Sequence, residues 1–280
     1  MANDAHELRV VILAAGFGSR LGLDYPKPLA VLGTGQCILE RQLRVLGSFV
    51  PAESVWIVVG YKKELIMEAF PNNVYIYNQQ FNRTNTAKSL WRALSKCEDC
   101  DVLWLNGDVV LEAAVVETVL RSGRSAAAVL PGEAGAEEVK YCTTPNGMIR
   151  CISKQVRPAE GEAVGVNFVH GDDVPPLVTS LERCADGDYF ERGMELAMEE
   201  GTAFEAADIS GALCIEIDTS ADLRRANDML GARTRAVRGE GPAARLLPQA
   251  TADCPSGCPP VPVTYPDAAD SEQSEVPKRA

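Results

Sequence analysis

From Arg9 to Ser122 the sequence alternates short, β-branched apolar runs with segments of helical spacing, and this rhythm constrains the fold more than any other feature. Arg9–Leu13, Ser54–Val59, Val74–Tyr77 and Asp101–Leu105 read as strands. Between and after them, Ile38–Gly47, Lys63–Phe70, Asn85–Cys97 and Leu111–Ser122 read as helices. Ile38, Leu39, Leu43 and Leu46 recur at the interval that lines one helical face, and Leu90, Trp91 and Leu94 do the same. Repeated strand–helix units of this length predict a mainly parallel sheet covered by helices. At 280 residues and 46% hydrophobic, the chain can bury the core such a sheet needs.

Beyond Ser122 the rhythm changes. Ser125–Leu130, Glu138–Thr143, Met148–Lys154 and Ala163–His170 read as strands, with Pro145-Asn146-Gly147 as a hairpin turn. Helices follow at Pro176–Cys184 and Tyr189–Glu200, then a strand at Ala212–Ile217. A helix over Ser220–Leu230 is introduced by Thr219 and Asp222, which have the spacing of a capping box. From Ala232 onward lie eight of the 17 prolines and almost no apolar periodicity. Residues 1–231 are therefore expected to form one domain, and 232–280 a proline-rich, disordered tail.

The stretch VVILAAGFGSRLGLDYPKPL, residues 10–29, carries the first chemistry. A buried strand runs into Gly16 and Gly18, which permit a turn with positive φ. Arg20 and Lys27 then return fixed positive charge over the exposed backbone N–H groups. That combination suits a polyphosphate. A dinucleotide fingerprint requires G-x-G-x-x-G, whereas Gly22 here gives G-x-G-x-x-x-G, and no acidic residue ends the second strand. A P-loop, G-x-x-x-x-G-K followed by Ser or Thr, is absent. The net charge of −12, from 27 basic and 39 acidic residues, argues against a broad nucleic-acid or anionic-membrane surface. No apolar run reaches about 18 residues, and MANDAHELRV lacks a basic region followed by an apolar one, so a cytoplasmic protein that does not enter a membrane is expected.

Of the nine cysteines, Cys37, Cys142, Cys151, Cys184 and Cys214 are scattered through apolar segments and read as small buried hydrophobes. Cys97/Cys100 and Cys254/Cys258 have metal-ligand spacing. The second pair lies in the proline-rich tail with nothing to fix it, which disfavours a zinc site.

LAAGFGSR followed six residues later by PKPL resembles the signature of the nucleotidyltransferases that make sugar nucleotides, L-A-A-G-x-G-x-R and then P-K-x-L. The resemblance implies a Rossmann-like three-layer α/β/α nucleotidyltransferase fold with a mainly parallel mixed sheet. It implies that the Gly16–Arg20 loop, with Gly18 and Ser19, wraps the triphosphate of an NTP. The backbone of Leu13, Ala14, Ala15 and Gly16 would touch the base, and Arg20 and Lys27 would hold phosphates. Asn78-x-x-Phe81-x-x-x-Asn85-x-x-x-Ser89-Leu90 is similar to a segment of CTP:phosphocholine cytidylyltransferases and their phosphonate- and inositol-phosphate-using relatives, which places Asn85 and Ser89 at the nucleotide. Thr86 stands where those enzymes more often carry a second asparagine. Val139-Lys140, Ile152-Ser153-Lys154, Glu162, Tyr189-Phe190-Glu191 and Glu216-Ile217-Asp218-Thr219 recur in the same order, so the resemblance spans about residues 8–230.

The implied reaction is attack of a small phosphate or phosphonate acceptor on the α-phosphorus of CTP, releasing pyrophosphate. The nucleophile is already an anion at neutral pH, so alignment and charge neutralisation matter more than a general base. Mg²⁺ is the expected cofactor, with Asp108 and Asp218 as its ligands, since each follows a predicted strand and ligands of open α/β sheets bind beyond strand carboxyl ends. Arg20, Lys27, Asp108 and Asp218 are thus the expected catalytic residues. By the same resemblance, Lys140 and Lys154 would meet the acceptor phosphate, and Glu162 and Glu191 a cationic or hydroxylated acceptor. Tyr61 and Phe81 are expected to line the pocket, and Trp56, Trp91 and Trp104 to sit in the core. Two alternatives stay open: a sugar-1-phosphate nucleotidyltransferase using UTP, dTTP or GTP, and an inactive relative with a regulatory role. The residues specify neither the acceptor nor an oligomeric state.

Overall fold

A computed structural model describes residues 6–237. In chain order the strands are β1 (Glu7–Ala14), β2 (Val55–Val59), β3 (Val74–Tyr77), β4 (Cys100–Asn106), β5 (Val109–Leu111), β6 (Ala126–Pro131), β7 (Lys140–Thr143), β8 (Ile149–Ser153), β9 (Gly161–Val169), β10 (Glu205–Asp208) and β11 (Cys214–Glu216). The α-helices are α1 (Ile38–Leu46), α2 (Lys63–Ala69), α3 (Thr86–Leu94), α4 (Ala113–Leu120), α5 (Val174–Arg183), α6 (Phe190–Glu199) and α7 (Ser220–Val237). The main sheet follows the order β10-β6-β9-β4-β1-β2-β3, with the β7–β8 hairpin attached to β9. β1 is parallel to both β2 and β4, β3 is parallel to β2, and β9 runs antiparallel between β4 and β6. This is the mixed, mainly parallel α/β nucleotidyltransferase fold.

β1 explains the three layers. Its side chains alternate between the two faces. Val10, Ile12 and Ala14 pack with Leu39 and Leu46 of α1 and with Val115, Val116 and Val119 of α4. Val11 and Leu13 pack on the other face with Leu90 and Leu94 of α3, Leu177 and Leu181 of α5, and Phe190 and Met194 of α6. Both faces are covered, so β1 reads as an unbroken apolar run. Each fully buried Val, Ile or Leu contributes about 1.5–3 kcal/mol of transfer free energy. Trp104 is fully buried against Phe190, whereas Trp56 and Trp91 are only partly covered.

A second, two-stranded sheet pairs β5 with β11 antiparallel. Val110, Ile215 and Ile217 build a small core there with Ile38 of α1 and Ala226 and Leu230 of α7. Here expectation and structure part. Leu111 ends a strand, and the helix expected from it starts only at Ala113. The edge strand β10, sequence EAAD, was not foreseen, because it has no β-branched or aromatic residue to announce it. Thr219 and Asp222 do form a reciprocal cap: the Thr219 N–H donates to Asp222 Oδ2 at 2.8 Å, and Thr219 Oγ1 accepts from the Asp222 N–H at 3.3 Å.

α7 continues past the expected boundary at 231 to Val237. Arg233 explains part of that extension, because its guanidinium binds Glu112 Oε2 at 2.6 Å and the Gly211 carbonyl at 2.9 Å. Residues 238–280, with the remainder of the tail expected from 232 and the Cys254/Cys258 pair, lie outside the described residues. Among the described residues no helix is long and apolar enough to cross a membrane.

Candidate active site

The carboxyl ends of β1 and β4 open into a cavity of about 390 Å³. Its wall near β1 is Leu13, Ala14, Gly16, Phe17 and Gly18. Gly18 has φ +61°, and a Cβ there would lie 2.8 Å from Lys27 Cβ, so this position excludes a side chain on two counts. Gly16 does not adopt a positive φ; that conformation falls on Gly18 and Gly22. After the turn, a 3₁₀ segment at Lys27–Leu29, entered through Pro26, points Lys27 back into the cavity.

Two carboxylates await it. Lys27 Nζ donates to Asp108 Oδ2 at 2.8 Å and to Asp218 Oδ1 at 2.7 Å. Arg20 Nη2 lies 2.9 Å from Asp218 Oδ2. The β5–β11 ribbon brings these aspartates together from distant sequence positions. Its register pairs Val109 with Glu216, and the Ile217 N–H donates to the Asp108 carbonyl at 3.0 Å, which sets Asp218 beside the Asn106–Asp108 turn. Gln42 of α1, fully buried, holds that turn: Nε2 donates to the carbonyls of Asn106 and Val109, both at 2.8 Å.

Glu216 also faces the cavity, where it accepts from Asn106 Nδ2 at 3.2 Å. Glu216 ends β11 and Asp218 follows it by two residues, and both carboxylates line the cavity. Desolvation at the cavity, then the neighbouring Asp108 and Asp218 charges, push the Glu216 carboxyl up to about 8, although the residue as a whole is exposed. Burial opposes the charge on Lys27, but Asp108 and Asp218 outweigh it and hold the ammonium above its ordinary range. Asp108 Oδ1 is buried and has no hydrogen-bond partner among the described residues. With Asp218 and Glu216 it offers an all-oxygen donor set that fits a hard divalent cation.

The opposite wall comes from the N-termini of α3 and α6. Thr86 Oγ1 accepts the Phe190 N–H at 3.0 Å, and Asn85 Nδ2 donates to the Gly187 carbonyl at 3.3 Å. Asn85, Thr86, Tyr189, Phe190 and Glu191 line this side with Lys154, whose Nζ lies 5.3 Å above the Tyr189 ring. Glu191 is 7% exposed, and its Oε2 has no partner among the described residues. Burial pushes its carboxyl up to about 7, against the pull of Lys154.

Of the expected site residues, Leu13, Ala14, Gly16, Gly18, Arg20, Lys27, Asn85, Asp108, Lys154, Glu191 and Asp218 meet at this cavity. Ser19 begins the 3₁₀ turn Ser19–Leu21. Others are not brought to it. Ser89 is buried and takes a hydrogen bond from Asn78 Nδ2 at 3.0 Å, so it braces α3 against the Asn78 turn. Ala15 is buried, and its carbonyl accepts the Tyr61 N–H at 3.1 Å. Lys140 Nζ is spent on the carbonyls of Ala136, Glu138 and Lys154. Glu162 sits opposite Lys140 on β9, outside the wall, and burial raises its carboxyl. Tyr61 and Phe81 are not among the wall residues; their ring centroids stand 5.1 and 5.3 Å from that of Phe17. Glu216, Asn106 and Gln42 were not foreseen as site residues. The one available signal was the two-residue spacing of Glu216 from Asp218.

A sequence profile for the MobA-like NTP transferase domain matches residues 10–182, more than half of the chain. The chain belongs to the MobA-like NTP transferase family. This NTP transferase is 28% identical over 247 residues to CMP-5'-(3-aminopropyl)phosphonate synthase of Streptomyces rubellomurinus, a match covering 80% of this chain and 39% of the relative. It is also 28% identical over 241 residues to the bifunctional IPC transferase and DIPP synthase of Archaeoglobus fulgidus, covering 84% and 46% respectively. The chain thus spans less than half the length of these two curated relatives. In fold it is similar to CTP:phosphocholine cytidylyltransferase from Streptococcus pneumoniae, with a TM-score of 0.65 at 19% identity over 80% of this chain and 99% of that one. It is similar again to the inositol-1-phosphate CTP transferase of T. maritima, with a TM-score of 0.69 at 16% identity over 85% and 98%.

Proposed function

We propose that this NTP transferase is a cytidylyltransferase that moves CMP from CTP to a small phosphate or phosphonate, releasing pyrophosphate. The observation that carries the reading is the Lys27 ammonium held between Asp108 and Asp218, with Arg20 on the outer oxygen of Asp218. Nucleotidyl transfer brings two anions together, and this cluster places exchangeable positive charge where they would meet. The acceptor oxygen forms a bond to the α-phosphorus while the bond to the pyrophosphate oxygen breaks in line, and no proton moves. Lys27 and Arg20 neutralise the triphosphate, and the Gly16–Arg20 turn presents its N–H groups to it.

Mg²⁺ is the proposed cofactor, and Asp108 and Asp218 would hold it. When bound it supplies positive charge to the triphosphate oxygens. CTP is favoured by the relatives, since both named structural neighbours and the phosphonate synthase carry CTP or CMP in their descriptions. Lys154 on the far wall is placed for the acceptor's phosphoryl group. The buried, unpartnered Glu191 carboxyl suits an ammonium on the same acceptor, so an aminoalkyl phosphonate or phosphate is preferred over a neutral polyol phosphate.

The test is pyrophosphate release by the full chain with Mg²⁺, each of CTP, UTP, dTTP and GTP, and a panel of acceptors. CTP with an aminoalkyl phosphonate should give the highest kcat/KM. Equal rates with UTP or dTTP and a sugar 1-phosphate would overturn the reading in favour of sugar-nucleotide synthesis.

A further inference from the structure

The chain contains two histidines, His6 and His170. The fold brings both onto one aspartate, Asp172, at the end of β1 away from the candidate active site. His6 immediately precedes β1, whose other end lines the cavity, and His170 follows β9, which runs antiparallel to β4. The two rings meet edge to face with centroids 5.2 Å apart. His6 Nε2 lies 4.0 Å from Asp172 Oδ1, and His170 Nδ1 lies 3.5 Å from Asp172 Oδ2. One nitrogen of each ring and one Asp172 oxygen all fall within 4.8 Å of one another.

The rings are held in place by their surroundings. His6 Nδ1 is 3.2 Å from the Asp99 carbonyl. A proton on Nδ1 satisfies that contact and leaves the Nε2 lone pair toward Asp172, as outer partners of metal-bound histidines do. Gly171 makes room for the His6 ring, since a Cβ there would stand 2.8 Å from its Cδ2. The Gly171 N–H is in turn fixed by Asp101 Oδ1 at 2.7 Å. The His170 backbone N–H donates to Ser125 Oγ at 3.0 Å, and its ring Nδ1 accepts the Asp172 N–H at a long 3.3 Å, a contact that a metal on Nδ1 would displace.

We propose that His6, His170 and Asp172 form a site for a divalent transition-metal ion of the Zn²⁺ type, with water completing the coordination. Two imidazoles and a carboxylate are a donor set of intermediate hardness, suited to Zn²⁺ and unlike the all-oxygen set in the candidate active site. With bonds of about 2.0–2.1 Å, tetrahedral donors stand about 3.4 Å apart. The separations of 3.5 and 4.0 Å are to the two different oxygens of Asp172, and one donor from each residue falls within 4.8 Å of the others, so binding would draw the three together by up to about 1.4 Å. Asp172 can make that adjustment because its side chain is 83% exposed, which also leaves the outer position open to water. Such an ion would tie the start of β1 to the turn after β9, and so would stabilise the native state alone.

The full chain labelled with ¹⁵N gives a clean test, because its imidazole spectrum contains two spin systems. Zn²⁺ is titrated in with Mg²⁺ in excess to occupy the carboxylate cluster. The expected result is saturable, simultaneous shifts of one ring nitrogen in each histidine at one equivalent, with a rise in Tm. Asp172→Asn, a change at an exposed side chain, should weaken that binding at least tenfold while leaving the far-UV spectrum unchanged. Zn²⁺ that leaves both imidazoles unmoved, moves only one, or binds Asp172→Asn as tightly as the parent overturns the proposal. Zn²⁺ taken up by cysteines gives the first of those results.

Discussion

Glu191 offers a stability test that needs no substrate. Its carboxyl moves from an ordinary value of 4.5 to about 7 in the folded chain, chiefly through burial. Between those values the native state keeps a proton that the unfolded chain has released, so stability must fall as pH rises through this window. The penalty is absent below pH 4.5 and complete above about 7. At 1.36 kcal/mol per pH unit, the displacement amounts to roughly 3 kcal/mol. Glu191→Gln keeps the shape and removes the charge. Its stability relative to the parent should therefore improve by roughly 3 kcal/mol between pH 4 and pH 8. With a urea m-value near 2 kcal/mol/M, the midpoint difference moves by about 1.5 M. Glu216 titrates in both proteins and largely cancels in the comparison. Urea midpoints measured at half-unit pH steps decide the matter. A difference between the two proteins that stays flat with pH would mean that Glu191 is solvated or paired in solution, and would remove the case for an ammonium-bearing acceptor.

Other perturbations probe the cluster itself. Asp108→Ala and Asp218→Ala should each lower turnover on the order of 10²-fold or more while the circular dichroism spectrum stays that of the parent; normal turnover in either refutes the proposed roles. Lys27→Met leaves Asp108, Asp218 and Glu216 with Arg20, on Asp218, as their one remaining paired cation and should cost about 2–3 kcal/mol at neutral pH, a buried-pair figure reduced for partial exposure of the aspartates. Millimolar Mg²⁺ should raise the Tm of that variant more than that of the parent, and equal shifts would show that lysine and metal do not share these carboxylates. Gly18→Ala forces a side chain into φ +61° and against Lys27, so it should lower stability by about 1–2 kcal/mol and raise KM for the nucleotide. An unchanged KM would separate the turn from nucleotide binding.

The fold was largely legible, for a reason visible in β1. A parallel strand covered on both faces must be apolar at every position, and Val10–Leu13 announces that directly. The position of the aspartates at the cavity was legible because each lies two residues past a strand, inside a short, distinctive string. Glu216 and Asn106 were not, because their importance comes from pairing β5 with β11, a register more than a hundred residues apart that local periodicity does not carry. Val109–Leu111 taken alone reads as the start of the following helix. Gln42 was invisible for a similar reason: on a helix facing the core, a glutamine gives no hint that it clasps two carbonyls of a distant turn. Ser89 and Lys140 show the opposite failure. Both lie in segments with the right pattern, but local hydrogen bonds take up their polar groups.

The charge of the cavity wall bears on how a nucleotide would enter. Asp108, Glu137, Glu138, Glu191, Glu216 and Asp218 line it against Arg20, Lys27 and Lys154. Even with Glu216 protonated, as its raised value favours, Asp108, Glu137, Glu138 and Asp218 remain against those same cations. Such a wall has no surplus positive charge for a polyphosphate, and Lys27 and Arg20 are already engaged with Asp218 and Asp108. A triphosphate is therefore expected to need charge carried in with it, and the orphaned Asp108 Oδ1 is a ready acceptor for that cation. Binding of CTP measured by calorimetry should then be weak in chelator and strengthen at least tenfold with Mg²⁺. Equal affinity in the two conditions would show that Lys27 and Arg20 leave their carboxylates and neutralise the nucleotide unaided.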